Sequence, residues 1–242
     1  MYGIALGISE TQEEAMPAKN CEALMGIDFQ SFPDADYCMG INPHSFDEKA
    51  AAELENIIKT DRHLVGFKIY GGYYHYFLTD KVYAPVFELA EQYGLPVTFH
   101  SGDTYSKKAL LKYAHPLVGD EVAQTYPKAN LILAHMGNPW IIDAAEVAYK
   151  NDNVYVDLAG LYIGKNFRKC QFDNQILQYH SLGLKLLHNY EKVLYGSDWP
   201  LVSMHDYIYF IKRIVPEKEH DKVFRQNALH VFSRLHCCEN KR

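Results

Sequence analysis

LPVTFHSGD, residues 95–103, is the stretch from which the rest of this chain can be read. Its apolar, β-branched and aromatic residues predict a short strand, a single histidine closes it, and Gly102 breaks it into a loop. The design recurs in LILAHMG, residues 131–137, and in VLYGSDWP, residues 193–200. In each, an apolar strand ends in one side chain able to bind a metal or move a proton, and a loop follows. That pattern predicts a parallel barrel with its chemistry at the carboxyl ends of the strands.

The flanking sequence repeats the alternation. Strands are expected at residues 3–9, 37–42, 65–70, 96–100, 131–135, 154–157 and 193–198. Helical periodicity occupies 47–59, with Asp47 as N-cap, and 82–93, where Gly94 supplies the stop. It continues at 107–126 (interrupted at Pro116), 140–151, 175–190, 204–215 and 218–235, while 10–20 is a polar loop or helix. Strands alternating with helices over short connections imply parallel pairing through right-handed crossovers. The expected fold is α/β, a (β/α)8 TIM-barrel-like arrangement lacking one β/α unit. A doubly wound sheet fits less well, because no G-x-G-x-x-G or G-x-x-x-x-G-K-[ST] follows a strand. One domain over 1–235 and a polar tail over 236–242 are expected.

Composition narrows the function class. With 242 residues, 22% charged and net charge −6, the chain lacks the basic stripe of a nucleic-acid partner. No apolar run approaches the roughly 18–20 residues that span a bilayer, and the first residues lack the pattern of a signal peptide. Five scattered cysteines without a C-x-x-C pair read as reduced thiols of a cytoplasmic protein. The expected partner is a small-molecule substrate, with self-association open through any unpaired strand edge.

Alternate strand residues face opposite sides. With Val65, Phe67 and Ile69 under the helices, Gly66, Lys68 and Tyr70 point inward. With Val97 and Phe99 outward, Thr98 and His100 point inward; Leu194, Gly196 and Asp198 follow the same rule. His135 shares parity with Leu133, and Asp157 with Tyr155. Lys68, His100, His135, Asp157 and Asp198 are therefore expected on one rim, where burial without a metal or a tight hydrogen-bond network is costly. Singly, each has a plain structural explanation, a satisfied core histidine or a helix cap. His and Asp together suit Zn²⁺ or a similar divalent ion with a bound water, and a neighbouring imidazole moves a proton. Ser101 and Ser197 adjoin these residues, but neither sits in a G-x-S-x-G elbow. The ring-dense YYHYF, residues 73–77, is a pocket cover or a self-packed surface loop. Trp199 is expected to shape a pocket wall, with Tyr70, His75 and Asp157 as further substrate contacts.

INPH, GFKIY, LPVTFHSGD, ILAHMGNP, NVYVDLAG, YGSDWP and the closing NALHVF, in this order, resemble the amidohydrolase superfamily, in particular its amidohydrolase-related hydrolases and decarboxylases. The resemblance implies His100 as a metal ligand and Asp198 as ligand and proton acceptor, with Zn²⁺ the first expectation and Mn²⁺ the second. It implies for His135 a catalytic or substrate-polarising role in one-metal members and a ligand role in two-metal members. Lys68 matches a lysine that is carbamylated in some cyclic-amide hydrolases, and here reads as a plain cation beside the substrate. Asn227 matches an asparagine of structural role. The departure is the first strand, which in the family ends in His-x-His. No His-x-His occurs in this chain, and His44 after Pro43 cannot replace a chelating pair. A chain beginning at the family's second strand is the expectation. The leading expected function is metal-dependent hydrolysis of an amide, ester or lactone. Non-oxidative decarboxylation at the same site is the alternative, and a non-catalytic binding barrel is the third reading.

Overall fold

The computed structural model describes residues 2–7, 34–162 and 174–235. Residues 8 and 9 of the first expected strand, the 10–20 segment, Cys21, Cys170, Cys237, Cys238 and the polar tail lie outside them. Seven strands appear where seven were expected: β1 (Gly3–Leu6), β2 (Ala35–Ile41), β3 (Leu64–Ile69), β4 (Val97–Phe99), β5 (Leu131–Leu133), β6 (Val154–Asp157) and β7 (Val193–Leu194). All pair in parallel, and their order across the sheet is their order in the chain. A doubly wound sheet reverses its strand order at a switch point. This sheet never reverses, so its twist curls it one way into a TIM-barrel-like α/β fold. Among the described residues β1 pairs only with β2, and β7 only with β6, which leaves a seam between the first and last strands.

The helices are α1 (Glu48–Thr60), α2 (Ala84–Tyr93), α3 (Val118–Thr125), α4 (Ile141–Lys150), α5 (Asn174–Leu186), α6 (Met204–Ile214) and α7 (Asn227–Val231). Asp47 caps α1 as expected, accepting from the Ala50 N–H at 2.8 Å. Gly94 ends α2 in the left-handed region at φ 64°, where a glycine carries no Cβ penalty. The 107–126 periodicity yields only α3, after a short 3₁₀ turn at Leu111–Tyr113; Pro116 lacks the N–H that a continuous helix needs. The closing 218–235 segment is likewise divided, a π-helical turn at Lys222–Gln226 preceding α7. None of the described helices is long and apolar enough to cross a membrane.

Two apolar clusters separate the faces of the sheet. Phe67, Ile69, Val97, Phe99, Leu131, Leu133 and Val193 join the cluster between sheet and helices. Cys38, Val65, Ile132, Tyr155 and Leu194 fill the inner one, with Phe232. Val65 corrects the parity reading, which had placed it beneath the helices. The β2–β3 register slips between Tyr37 and Cys38, and the extra residue of this bulge turns Val65 inward while Leu64 takes the helix-facing place. Beyond the bulge the alternation stands, so Lys68 still points into the lumen.

Candidate functional site

The site is built from the strand ends upward. Lys68 of β3 and Thr98 of β4 are cross-strand partners, both buried and both on the wall of a cavity of about 680 Å³. This is the size of an ordinary small-molecule site. His100, directly after β4, is 7% exposed. Its Nε2 stands 2.9 Å from the Asp103 carbonyl oxygen, and its Nδ1 stands 3.1 Å from Nε2 of His135. His135 Nδ1 in turn stands 2.9 Å from the Ala159 carbonyl oxygen. Both carbonyl-facing nitrogens must carry hydrogen, because a carbonyl only accepts. The tautomers that face the two carbonyls leave His100 Nδ1 and His135 Nε2 directed at one another.

Backbone geometry delivers the rest of the rim. β5 ends at Leu133, so strand parity does not reach His135. The ring enters the site because His135 and Met136 take φ of 59° and 46°, a left-handed conformation uncommon for side-chain-bearing residues. Asp198 does the same four residues after β7, at φ 60°. Such strained positions persist where surrounding contacts over-determine them. Here Asp157 Oδ1 accepts from the backbone N–H of His135 and of Ala159, each at 2.9 Å. Tyr207 of α6 fixes the same loop, its hydroxyl donating to the Leu158 carbonyl and accepting from the Leu161 N–H. Within that loop Gly160 has φ 61°, and a Cβ there would lie 2.7 Å from His135 Nδ1 and 3.0 Å from Asp198 Oδ2. Only glycine lets the loop pass so close to both groups.

The electrostatics follow from burial. Desolvation lowers the Lys68 pKa below its ordinary value, against the opposing pull of Asp157, Asp198 and Cys38. Among the described residues no carboxylate stands within ion-pair distance of its Nζ, which lies 5.3 Å from the Tyr70 ring centroid. Burial also drives His100 well below the usual imidazole range, helped by His135 and Lys68. Tyr70 is pushed well above the phenol range, mainly by burial, and its hydroxyl donates to the Gly7 carbonyl.

Lys68, Tyr70, His100, His135, Asp157, Asp198 and Trp199 thus share one cavity. His75, expected as a substrate contact, does not reach it. It is exposed and stacked on Tyr113 at 5.7 Å and 12°, because the 73–77 loop divides its rings. Tyr73 turns inward, edge-on to His100 at 4.9 Å, whereas His75 and Phe77 pack on Tyr113 outside. Asp157 has its Oδ1 committed to two backbone N–H groups, so its first task is positioning. Thr98, Tyr105 and Gly160 were not singled out by motif. For Thr98 the inward parity was the available signal, and for Gly160 its place just after a strand-ending aspartate.

The divalent ion expected at this rim was tested against the donors present. Among the described residues no group of three or more His, Cys, Asp or Glu is placed to hold a metal ion. His100 Nδ1 and His135 Nε2, each with its other ring nitrogen on a carbonyl, stand 3.1 Å apart, two donors without a third grouped beside them among the described residues. The described residues as arranged do not fit a metal shell.

Comparison with known proteins agrees with this architecture. Among curated protein sequences none matches the chain. Among solved structures, it resembles 5-carboxyvanillate decarboxylase from Sphingomonas paucimobilis at TM-score 0.60 and 19% identity, covering 85% of this chain and 69% of that one. A probable 2-pyrone-4,6-dicarboxylic acid hydrolase from Acinetobacter baumannii, with citric acid bound, matches at 0.60 and 16%, covering 85% and 76%. A 5-carboxyvanillate decarboxylase from Novosphingobium aromaticivorans, complexed with manganese and a nitrobenzoic acid, matches at 0.60 and 14%, covering 85% and 66%. At these identities the likeness is one of fold. Residues 3–234 match the amidohydrolase family directly, over nearly the whole chain, and the protein belongs to that family.

Proposed function

We propose that the chain is a hydrolase of small carboxylate-bearing amides, esters or lactones. The observation that carries this reading is Lys68, a buried cation without an ion-pair partner among the described residues, on the wall of the cavity that holds His100, His135 and Asp198. A buried ammonium left unpaired is costly, and an anionic substrate relieves that cost. Lys68 holds the substrate's carboxylate or its developing oxyanion. Asp198 takes the proton of the attacking water at its carboxylate. The same proton then passes by way of His135 to the leaving group, so the carboxylate and both imidazoles end as they began.

Amidohydrolases generally use a divalent metal, and one structural relative carries manganese. Zn²⁺ and Mn²⁺ are therefore the ions to compare in assays, although the chemistry above runs through the chain's own groups. The test is a panel of lactones, esters and amides, each assayed with and without added Zn²⁺ or Mn²⁺. Turnover that falls at least about 100-fold in Asp198→Asn and His135→Asn supports the reading, as does a raised KM in Lys68→Met. No turnover of any substrate under any ion condition refutes it.

Decarboxylation of an aromatic acid is the second reading, favoured by the rings of Tyr73, Tyr105 and Trp199 at the cavity mouth and by the decarboxylases among the structural relatives. Release of carbon dioxide from hydroxybenzoates, without carbonyl hydrolysis, selects it.

A further inference from the structure

The cavity divides by chemistry as well as by shape. Its polar groups come from β3 to β6 and the loop after β7, whereas much of its apolar lining flanks the seam: Ile4 and Leu6 of β1, Leu194 of β7, and Ala228 and Phe232 at the closing helix. In a closed barrel the interior is a packed core. Here one cavity lining runs from the polar rim to these apolar residues. A second observation locates the polar end. Thr98 is 1% exposed and its Oγ1 has no hydrogen-bond partner among the described residues, although the residue lines the cavity beside its strand neighbour Lys68. A buried hydroxyl in that state lacks an acceptor or donor that a ligand can supply.

We propose that this cavity binds an amphipathic acid, with its carboxylate on Lys68 and Thr98 and an unbranched apolar tail along the seam between β1 and β7. The proposal rests on the reading that Lys68 holds an anion, and extends it to a site for the tail and a further head-group contact. A carboxylate oxygen accepts from the Thr98 hydroxyl while the other faces Lys68 Nζ. Each methylene entering the lumen leaves water for contact with aliphatic and aromatic side chains.

Calorimetric titration of the full chain with butanoate, hexanoate, octanoate and decanoate tests this. Affinity is expected to rise by about fourfold per methylene, from ~0.8 kcal/mol for each buried CH₂. Thr98→Val, which keeps the shape and removes the hydroxyl, is expected to weaken every acid by about tenfold and leave the chain-length slope unchanged. Ala228→Phe is expected to end the gain beyond hexanoate by filling the seam. Should that variant fail to fold, the wild-type series and Thr98→Val decide alone. Affinity that is flat along the series, with butanoate bound and lactones or esters turned over, overturns the tail site and leaves the hydrolase reading standing. A flat series accompanied by sedimentation as a dimer also overturns it, since a second copy then occupies the seam. If no acid binds and no ester or lactone is turned over, both readings fall together.

Discussion

Gly160→Ala asks whether the loop after β6 sets the positions of His135 and Asp198. Gly160 has φ 61°, and the added Cβ would meet His135 Nδ1 at 2.7 Å, Asp198 Oδ2 at 3.0 Å and His135 Cε1 at 3.2 Å. The left-handed backbone alone costs an alanine about 1–2 kcal/mol, which for a chain of this length lowers Tm by about 2–8 °C. Gly94→Ala isolates that part: its φ is 64°, and its Cβ would meet only Ser233 Oγ at 3.7 Å. At Gly160 the overlap must also be relieved by moving the imidazole, which breaks its 2.9 Å contact with the Ala159 carbonyl. A hydrogen bond of this kind contributes about 0.5–1.5 kcal/mol, so a loss of about threefold to tenfold in kcat/KM is expected. Gly94→Ala should stay within about twofold of the parent. Thermal denaturation and turnover are measured for both variants, with imidazole ¹⁵N shifts reporting the ring contacts of His135. If Gly160→Ala keeps parental turnover and unchanged His135 shifts while losing no more Tm than Gly94→Ala, the loop does not position the site.

Lys68 predicts two opposite pH trends. Its pKa is lowered by burial from the ordinary 10.5, so the unfolded chain binds more protons between the folded value and 10.5, and stability rises with pH across that interval. Anion affinity falls over the same interval as the ammonium is lost, and urea midpoints and binding titrations at stepped pH read the two. Asp36 and His63 are buried together at the other end of the sheet, Oδ1 to Nδ1 at 2.9 Å, and Tyr2 also donates to Asp36. Asp36→Ala removes the shared acceptor and should cost about 1–3 kcal/mol in urea unfolding, with Asp36→Asn losing less. Burial pushes the Cys38 thiol up to about 12, so mass spectrometry after iodoacetamide treatment should find Cys38 unmodified in the native protein and alkylated after unfolding.

The strands were legible because each is a short apolar run ended by glycine, proline or a polar side chain, and their parallel order followed from the helices between them. Parity then placed Lys68, Thr98 and His100 inside, since each lies in a strand or one residue beyond it. It misplaced Val65, because a bulge inserts a residue without changing the apolar pattern that parity relies on. His135 and Asp198 line the same cavity, but strand parity is not what brings them there. Leu133, which shares His135's parity, packs outward with the helices, while His135 itself turns inward after its strand has ended. A positive φ on a histidine or aspartate has no composition signature; it is imposed by Asp157 holding the backbone N–H groups and Tyr207 holding the loop, contacts spanning 22 and 46 residues in sequence. Strand periodicity therefore locates the wall of such a site, whereas its reacting groups are delivered by loops whose conformation is decided only once the sheet has curled around them.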